Sequence, residues 1–294
     1  METAPIVLFV YNRPHHTERT IESLAKNTLA DKSKIFIFSD GPKNEKDEKP
    51  VNEVREYIKS VKGFEQINIL ENKVNKGLAN SVIDGVTSII NSFGKAIVVE
   101  DDLESSPYFL KFMNEALDFY KNENIYSVSG YSFPIKIPAD YKEDVYILPR
   151  SSSWGWATWL DRWEKADWEV KDFMDFRKDI NSKKLFNNGG EDLTPMLMAQ
   201  MSGKIDSWGI RWAYSHFKSN SYCLYPVKSL INNIGIDNSG THSRASTKFD
   251  VELAGIDNFN FTKDIKLNAD ILESVKRFVK LSPIRKVINT IKGY

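Results

Sequence analysis

Three consecutive acids, Glu100, Asp101 and Asp102, follow directly on the apolar run Ala96-Ile97-Val98-Val99. Carboxylates crowded at one strand end repel one another unless a cation or solvent offsets the charge, and a hard divalent metal with oxygen ligands is the natural partner. Extended backbone puts Glu100 and Asp102 on one face and Asp101 on the other, so a single ion should not use all three equally. The competing reading is a solvated strand end beside a helix N-terminus, where acids are favoured anyway. Three more polar clusters follow apolar runs: Tyr11-Asn12-Arg13-Pro14, Ser39-Asp40-Gly41-Pro42 and Asn75-Lys76-Gly77-Leu78. Each alone reads equally well as a turn.

The elements that must hold these clusters are legible as a pattern. Short apolar runs at 6–11, 34–39, 66–70, 96–99 and 125–129 alternate with helix-patterned stretches, which predicts an α/β fold with a mostly parallel sheet flanked by helices. In such a sheet ligands bind outside the carboxyl ends of the strands, and there the four polar clusters would lie on one edge. Leu78, Val82, Val86, Ile89, Ile90 and Phe93 recur at helical spacing, and Ser106-Pro107 offers an N-cap and first-turn proline before Phe112, Met113, Ala116, Leu117 and Tyr120. These faces are read as core.

After Tyr131 the pattern turns irregular and aromatic, with Trp154, Trp156, Trp159, Trp163 and Trp168 close together. Aromatic faces stack on sugar rings, yet tryptophans this dense are more often core with one or two at a ligand; Trp154 and Trp156 are the candidates for the ligand side. The stretch 233–242 is rich in loop formers and ends in His242, while His15 and His16 read as surface residues at a helix start. The last stretch carries Lys276, Arg277, Lys280, Arg285, Lys286 and Lys292 among apolar residues, interrupted at Pro283. It reads as a basic amphipathic tail that either rests on an anionic membrane surface or packs on the protein's own body. The chain therefore divides into an α/β part, 1–130, whose polar strand ends are expected to bind a ligand, an aromatic-rich part of the same domain, 131–270, expected to bind a second one, and the tail, 271–294.

Bulk properties exclude several classes. Lys plus Arg and Asp plus Glu both number 40 in 294 residues, so no positive field points to nucleic acid. The lone Cys223 cannot form an internal disulfide, and no cysteine cluster is present for zinc or iron and sulfur. A reducing cytoplasm is the expected compartment. No apolar run is long enough to span a bilayer, so the expectation is a soluble protein whose membrane contact, if any, is peripheral.

Val98-Val99-Glu100-Asp101-Asp102-Leu103 followed by Pro107-Tyr108-Phe109-Leu110 resembles N-acetylglucosaminyltransferase I and its bacterial relatives, whose GT-A fold, a Rossmann-like α/β arrangement, carries a Glu-Asp-Asp metal motif in this setting. Val10-Tyr11-Asn12-Arg13 is similar to the family's first nucleotide-contacting segment, Ser39-Asp40-Gly41 to its uridine-contacting one, and Trp154-Gly155-Trp156-Ala157-Thr158-Trp159 to its Gly-Trp segment near the acceptor. The resemblance runs from Pro5 to His242 and is strongest before Tyr131.

The resemblance implies an inverting transfer from a nucleotide diphosphate sugar, with UDP favoured, to a hydroxyl of a glycan or lipid-linked saccharide. It implies Mn2+ or Mg2+ held by Asp102, with the late His242 as a further ligand, and Asp101 turned to ribose or donor-sugar hydroxyls. Tyr11, Arg13 and Asp40 would contact the nucleotide; Lys76 reads equally well as a solvated lysine. For the general base the segment Lys204-Ile205-Asp206-Ser207-Trp208 is similar to the family's, which has two acids before the tryptophan, so Asp206 is the candidate with Ser207 standing where the second acid would be. Trp208 and Trp212 would exclude water from it. Glu191 and Asp192, after Gly189-Gly190, are the competing base pair. Two other functions are open: a sugar nucleotidyltransferase, which would need a glycine-rich basic loop where Asn12-Arg13-Pro14-His15 stands, and a noncatalytic carbohydrate-binding protein, which would leave the acid cluster without a role.

Overall fold

A computed structural model of the chain describes residues 2–237 and 246–291. The first half alternates strand and helix: β1 (Ile6–Val10), α1 (Pro14–Ala25), β2 (Lys34–Ser39), α2 (Glu45–Lys59), β3 (Gln66–Glu71), α3 (Leu78–Phe93), β4 (Lys95–Glu100), the short β5 (Leu103–Ser105), α4 (Phe109–Phe119) and β6 (Ile125–Ser129). The second half is less regular, with β7 (Val145–Leu148), β8 (Trp156–Trp159), short helices α5 (Leu160–Trp163), α6 (Phe173–Lys178) and α7 (Ile180–Phe186), then α8 (Leu193–Met201), α9 (Trp208–Lys218), β9 (Tyr222–Pro226) and β10 (Ile231–Asn233). Two helices close the described chain, α10 (Ala269–Phe278) and α11 (Pro283–Ile291).

Eight strands form one sheet in the order β3-β2-β1-β4-β8-β6-β9-β7. β3, β2, β1 and β4 are parallel neighbours, and so are β6 and β9; β8 and β7 run against the strands beside them. The sheet is therefore mixed but mostly parallel, and it draws strands from both the 1–130 and the 131–270 stretches. β5 and β10 form a separate antiparallel pair.

Period-two alternation explains the two core layers. Ile6, Leu8 and Val10 of β1, with Ile97 and Val99 of β4, pack with Ile21 and Leu24 of α1, Val54 and Ile58 of α2 and the apolar face of α4. Val7, Phe9, Ala96 and Val98 point the other way, onto Val82, Val86 and Ile90 of α3 and onto Trp208 and Trp212 of α9. Strands buried on both faces must be apolar throughout, which is why they read as unbroken runs.

Three details of the helices depart from expectation. Leu78, expected in the core, is half exposed at the first position of α3. The helix after Ser106-Pro107 starts later, at Phe109, and the Ser106 hydroxyl accepts the Tyr108 amide at 3.3 Å while donating to the Ala254 carbonyl at 2.6 Å. Pro283 does not break a helix but opens α11, with the Ser282 hydroxyl accepting the Arg285 amide at 3.2 Å.

Candidate active site

β1 has β2 on one side and β4 on the other, so the chain leaves β1 in one direction and returns across it from β3 to β4. That reversal of strand order opens a crevice outside the carboxyl ends of β1 and β4. Arg13, just before α1, enters it from one side, and Asp101 and Asp102, just after β4, from the other. The guanidinium bridges both carboxylates: it contacts Asp101 through two nitrogens, and its Nη2 donates to Asp102 Oδ2 at 2.9 Å. Burial alone would weaken the proton on Arg13, but Asp101 and Asp102 more than reverse this, so it stays charged. Burial, then the charges of Asp102 and Asp101, push the Glu100 carboxyl well above the ordinary range, with Arg13 opposing. Burial also raises Asp101 despite the arginine. The crevice thus holds more acid than the arginine neutralises.

A loop from the far half closes over it. The Ile234 amide donates to the Asp102 carbonyl at 2.9 Å, and Gly235 then passes so near that a Cβ there would lie 2.1 Å from Asp102 Oδ2 and 2.8 Å from Arg13 Nη1. Only glycine lets the backbone approach this closely. Asp237 meets His16 at 3.1 Å. His15 and His16 both stand in the first turn of α1, as expected, with His15 exposed and His16 held by this contact. His242 lies outside the described residues.

The neighbouring strand ends form a second cluster. The buried Asp40 carboxylate accepts the amides of Lys76 (3.0 Å) and Gly77 (3.0 Å) and of Gly41 (3.0 Å). It therefore fixes the turn into α3, which Gly77 enters at φ 78°. Tyr11 accepts the Lys43 amide through its hydroxyl at 3.0 Å and so holds the end of the β2–α2 connection. The Lys76 ammonium lies along α3, 3.1 Å from Asp84. Asp206 comes to the same corner, its Oδ2 4.0 Å from where a Cβ of Gly77 would be.

The surroundings of Asp206 differ from expectation. Its side chain is 64% exposed, with Arg211 Nη2 3.5 Å away. Trp208 and Trp212 do not cover it; both turn into the core and pack on Trp156, at 5.2 and 5.6 Å between ring centroids. Ser207 is the N-cap of α9, accepting the Ile210 amide at 3.3 Å.

Trp156, expected on the ligand side, is 0% exposed, because β8 lies between β4 and β6 and its alternation sends Trp156 toward α9 and Trp159 to the opposite layer. It has no face to offer a ligand. Trp154, before the strand, is half-buried against Tyr131 and Phe249. The competing base pair is engaged elsewhere. Asp192 makes a two-pronged bridge to Arg150, at 2.9 and 2.8 Å. Glu191 accepts the Leu281 amide at 2.7 Å and pairs with Lys286 at 2.7 Å, fastening the C-terminal segment.

Similarity to known proteins is confined to architecture. No protein-family model and no curated protein matches the chain by sequence. Among solved structures it is similar to the mannosyltransferase PcManGT from Pyrobaculum calidifontis in complex with GDP-Man and Mn2+, at 11% identity and a TM-score of 0.36 over 54% of this chain and 45% of that one. It is also similar to S. aureus TarS, at 9% identity and a TM-score of 0.42 over 78% of this chain and 36% of that one. The TarS 1-349 structure gives 10%, 0.41, 78% and 59% for the same quantities. The chain spans less than two thirds of each.

Among the described residues no three His, Cys, Asp or Glu side chains are arranged as a metal cage. The donor set nevertheless suits a hard cation in an open site: Glu100, Asp101 and Asp102 offer oxygens only and are incompletely neutralised. Asp102 is more exposed than Asp101, 15% against 8% of the side chain, and its Oδ2 is the oxygen that accepts Arg13 Nη2.

Three groups at this edge were not singled out from sequence. Arg55 of α2 joins the ends of β2 and β3, donating to the Asn72 carbonyl at 2.7 Å and the Asp40 carbonyl at 3.3 Å. Arg211 stands beside Asp206, and Gly235 makes room for the Asp102–Arg13 contact. An arginine at helical spacing carries no mark of its target; Gly235 lay in a stretch already read as loop, where its close approach to Asp102 has no sequence signal.

Proposed function

We propose that this protein is an inverting, divalent-metal-dependent glycosyltransferase of GT-A type, transferring a sugar from a nucleotide diphosphate sugar, UDP-linked, to a hydroxyl of a glycan or lipid-linked saccharide. The observation that carries the reading is the meeting of Arg13 with Asp101 and Asp102 in the crevice between β1 and β4, an incompletely neutralised acid cluster where open α/β sheets bind nucleotides. Asp102, and His242 with it, would hold Mn2+ or Mg2+, which when bound offsets the charge developing on the leaving diphosphate.

The chain's own residues supply the rest. Arg13 is already positioned at the crevice to pair with phosphate or ribose oxygens once a cation takes over Asp102. Asp101, buried behind it, would orient ribose or donor-sugar hydroxyls. Asp40 and Tyr11 fix the turns that border the nucleotide, so their effect on the base runs through the backbone of residues 41–44 and 76–77. Asp206 takes the acceptor proton as its oxygen attacks the anomeric carbon and the bond to the diphosphate breaks on the opposite face. Its exposure suits a group that must meet an incoming acceptor, and Trp154 lies with Tyr131 and Phe249 in the same half of the chain.

The test is release of nucleoside diphosphate from a panel of UDP- and GDP-sugars with Mn2+, with and without glycan acceptors. Acceptor-stimulated release from one donor supports transfer. Formation of a sugar nucleotide from a sugar phosphate and nucleoside triphosphate, with no release from any donor, would favour a nucleotidyltransferase, although α1 begins at Pro14 directly after Arg13 with no glycine-rich phosphate loop.

A further inference from the structure

The two C-terminal helices sit on the body in opposite senses. α10 is ordinary: Ile271 and Val275 are buried against Tyr146, Leu148, Cys223 and Tyr225. α11 is inverted. Ile284, Val287 and Ile291, spaced i, i+3 and i+7 on one helical face, are 74%, 59% and 80% exposed. The opposite face carries Lys286 and Asn289; Lys286 pairs with Glu191 at 2.7 Å, and Asn289 is buried with no hydrogen-bond partner for its Nδ2 among the described residues. Glu191 also accepts the Leu281 amide, so one acid fixes both the approach to the helix and its rotation. A helix free to turn would bury its isoleucines and expose its asparagine.

The charge beside this row is one-signed. From Ser274 to Tyr294 the sequence contains no Asp or Glu, while Lys276, Arg277, Lys280, Arg285, Lys286 and Lys292 are basic. Lys280, in the segment before α11, and Arg285, in its first turn, are both exposed. Three apolar side chains on a nine-residue helix are a small contact for a second copy, since stable interfaces bury about 800 Å² per partner. A lipid surface needs no shape match, takes isoleucine and valine into its acyl boundary and attracts Lys and Arg through its anionic headgroups.

We propose that α11 is a peripheral docking element for an anionic lipid bilayer, held by Glu191 with its apolar row outward. The proposal stands apart from the sugar-transfer reading, because neither the row nor its fastening involves the crevice.

Vesicle sedimentation tests it. The full chain at low salt should pellet with phosphatidylcholine:phosphatidylglycerol vesicles at about 3:1 and stay soluble with phosphatidylcholine alone, and raised salt should release it. Combining Ile284→Ser, Val287→Ser and Ile291→Ser should lower the bound fraction roughly tenfold with an unchanged melting temperature, and so should Lys280→Glu with Arg285→Glu. Failure of the wild-type chain to pellet with anionic vesicles, or undiminished pelleting of the triple-serine protein, would overturn the proposal. So would a concentration-dependent dimer that the triple substitution makes monomeric.

Discussion

Arg13 and Asp102 meet at 2.9 Å although 89 residues separate them in sequence. The contact ties the end of β1 to the end of β4 and leaves a cation-shaped role filled by a side chain. Replacing Arg13 with Ala removes that charge from a largely buried cluster, which should destabilise the protein by about 3 kcal/mol. Added Mn2+ should then stabilise the variant more than the wild type, as binding to the folded state does by mass action. Melting curves in chelator and in Mn2+ measure both quantities; a variant that melts like wild type in chelator would show that the arginine does not offset the acids.

Asp40 fastens the turn into α3. Asp40→Ala removes the buried carboxylate that accepts the part-buried amides of Lys76 and Gly77, at a cost of about 1–3 kcal/mol, and should weaken donor binding with it. Urea denaturation and donor titration check the pair. Weakened donor binding with unaltered stability would mean that Asp40 touches the donor and does not merely hold the turn.

Asp206→Asn should lower turnover by about a hundredfold or more while donor and metal binding persist. Asp192→Asn should chiefly loosen Arg150, and Glu191→Gln should chiefly release the C-terminal segment, each with turnover near normal. Steady-state kinetics on the three variants decide the matter, and near-normal turnover in Asp206→Asn with collapse in either of the others would move the base to the earlier pair.

His216 gives stability a pH dependence. Burial lowers its pKa to about 4, with the hydrogen bond to the Trp212 carbonyl opposing. A carbonyl only accepts, so Nδ1 carries the proton at 2.9 Å from Trp212, and Nε2 accepts from the Ser127 hydroxyl at 2.8 Å. Because the folded pKa lies below the unfolded one, the stabilisation is present above about 6.5 and is lost as pH falls toward 4; between pH 7 and pH 5 the loss should be about 2 kcal/mol. Denaturation of wild type and His216→Gln at both pH values isolates this contribution. Equal slopes in the two proteins would show that the histidine is not buried neutral.

Much of the first half was legible because its strands run parallel: β1 and β4, covered on both faces, are apolar, β2 alternates in burial, β3 lies more exposed at the sheet's edge, and the runs at 6–11, 34–39, 66–70, 96–99 and 125–129 each became a strand. Polar residues at their carboxyl ends fell on one edge for the same reason. β7 to β10 left no comparable trace, being short or interrupted by tryptophans whose direction depends on a register the sequence does not contain. Trp156 shows the limit: the same composition serves a core or a sugar platform, and β8's place between β4 and β6 decides for the core. The tail illustrates a second limit, since its amphipathic pattern fitted either partner; α10 packs on the body while α11 turns its apolar row outward. Nor could spacing reveal that Glu191, read as a competitor to Asp206 for the base, holds that tail in place.

The central claim, a metal-dependent nucleotide-sugar site at the crevice between β1 and β4, is tested most directly by titrating UDP-sugars into the wild-type protein and Asp102→Ala, in Mn2+ and in chelator. Binding should be measurable for the wild type in Mn2+, weaker by at least about tenfold in chelator, and equally weak in the variant under both conditions. Donor binding that is unchanged by chelator and by loss of Asp102 would contradict the account.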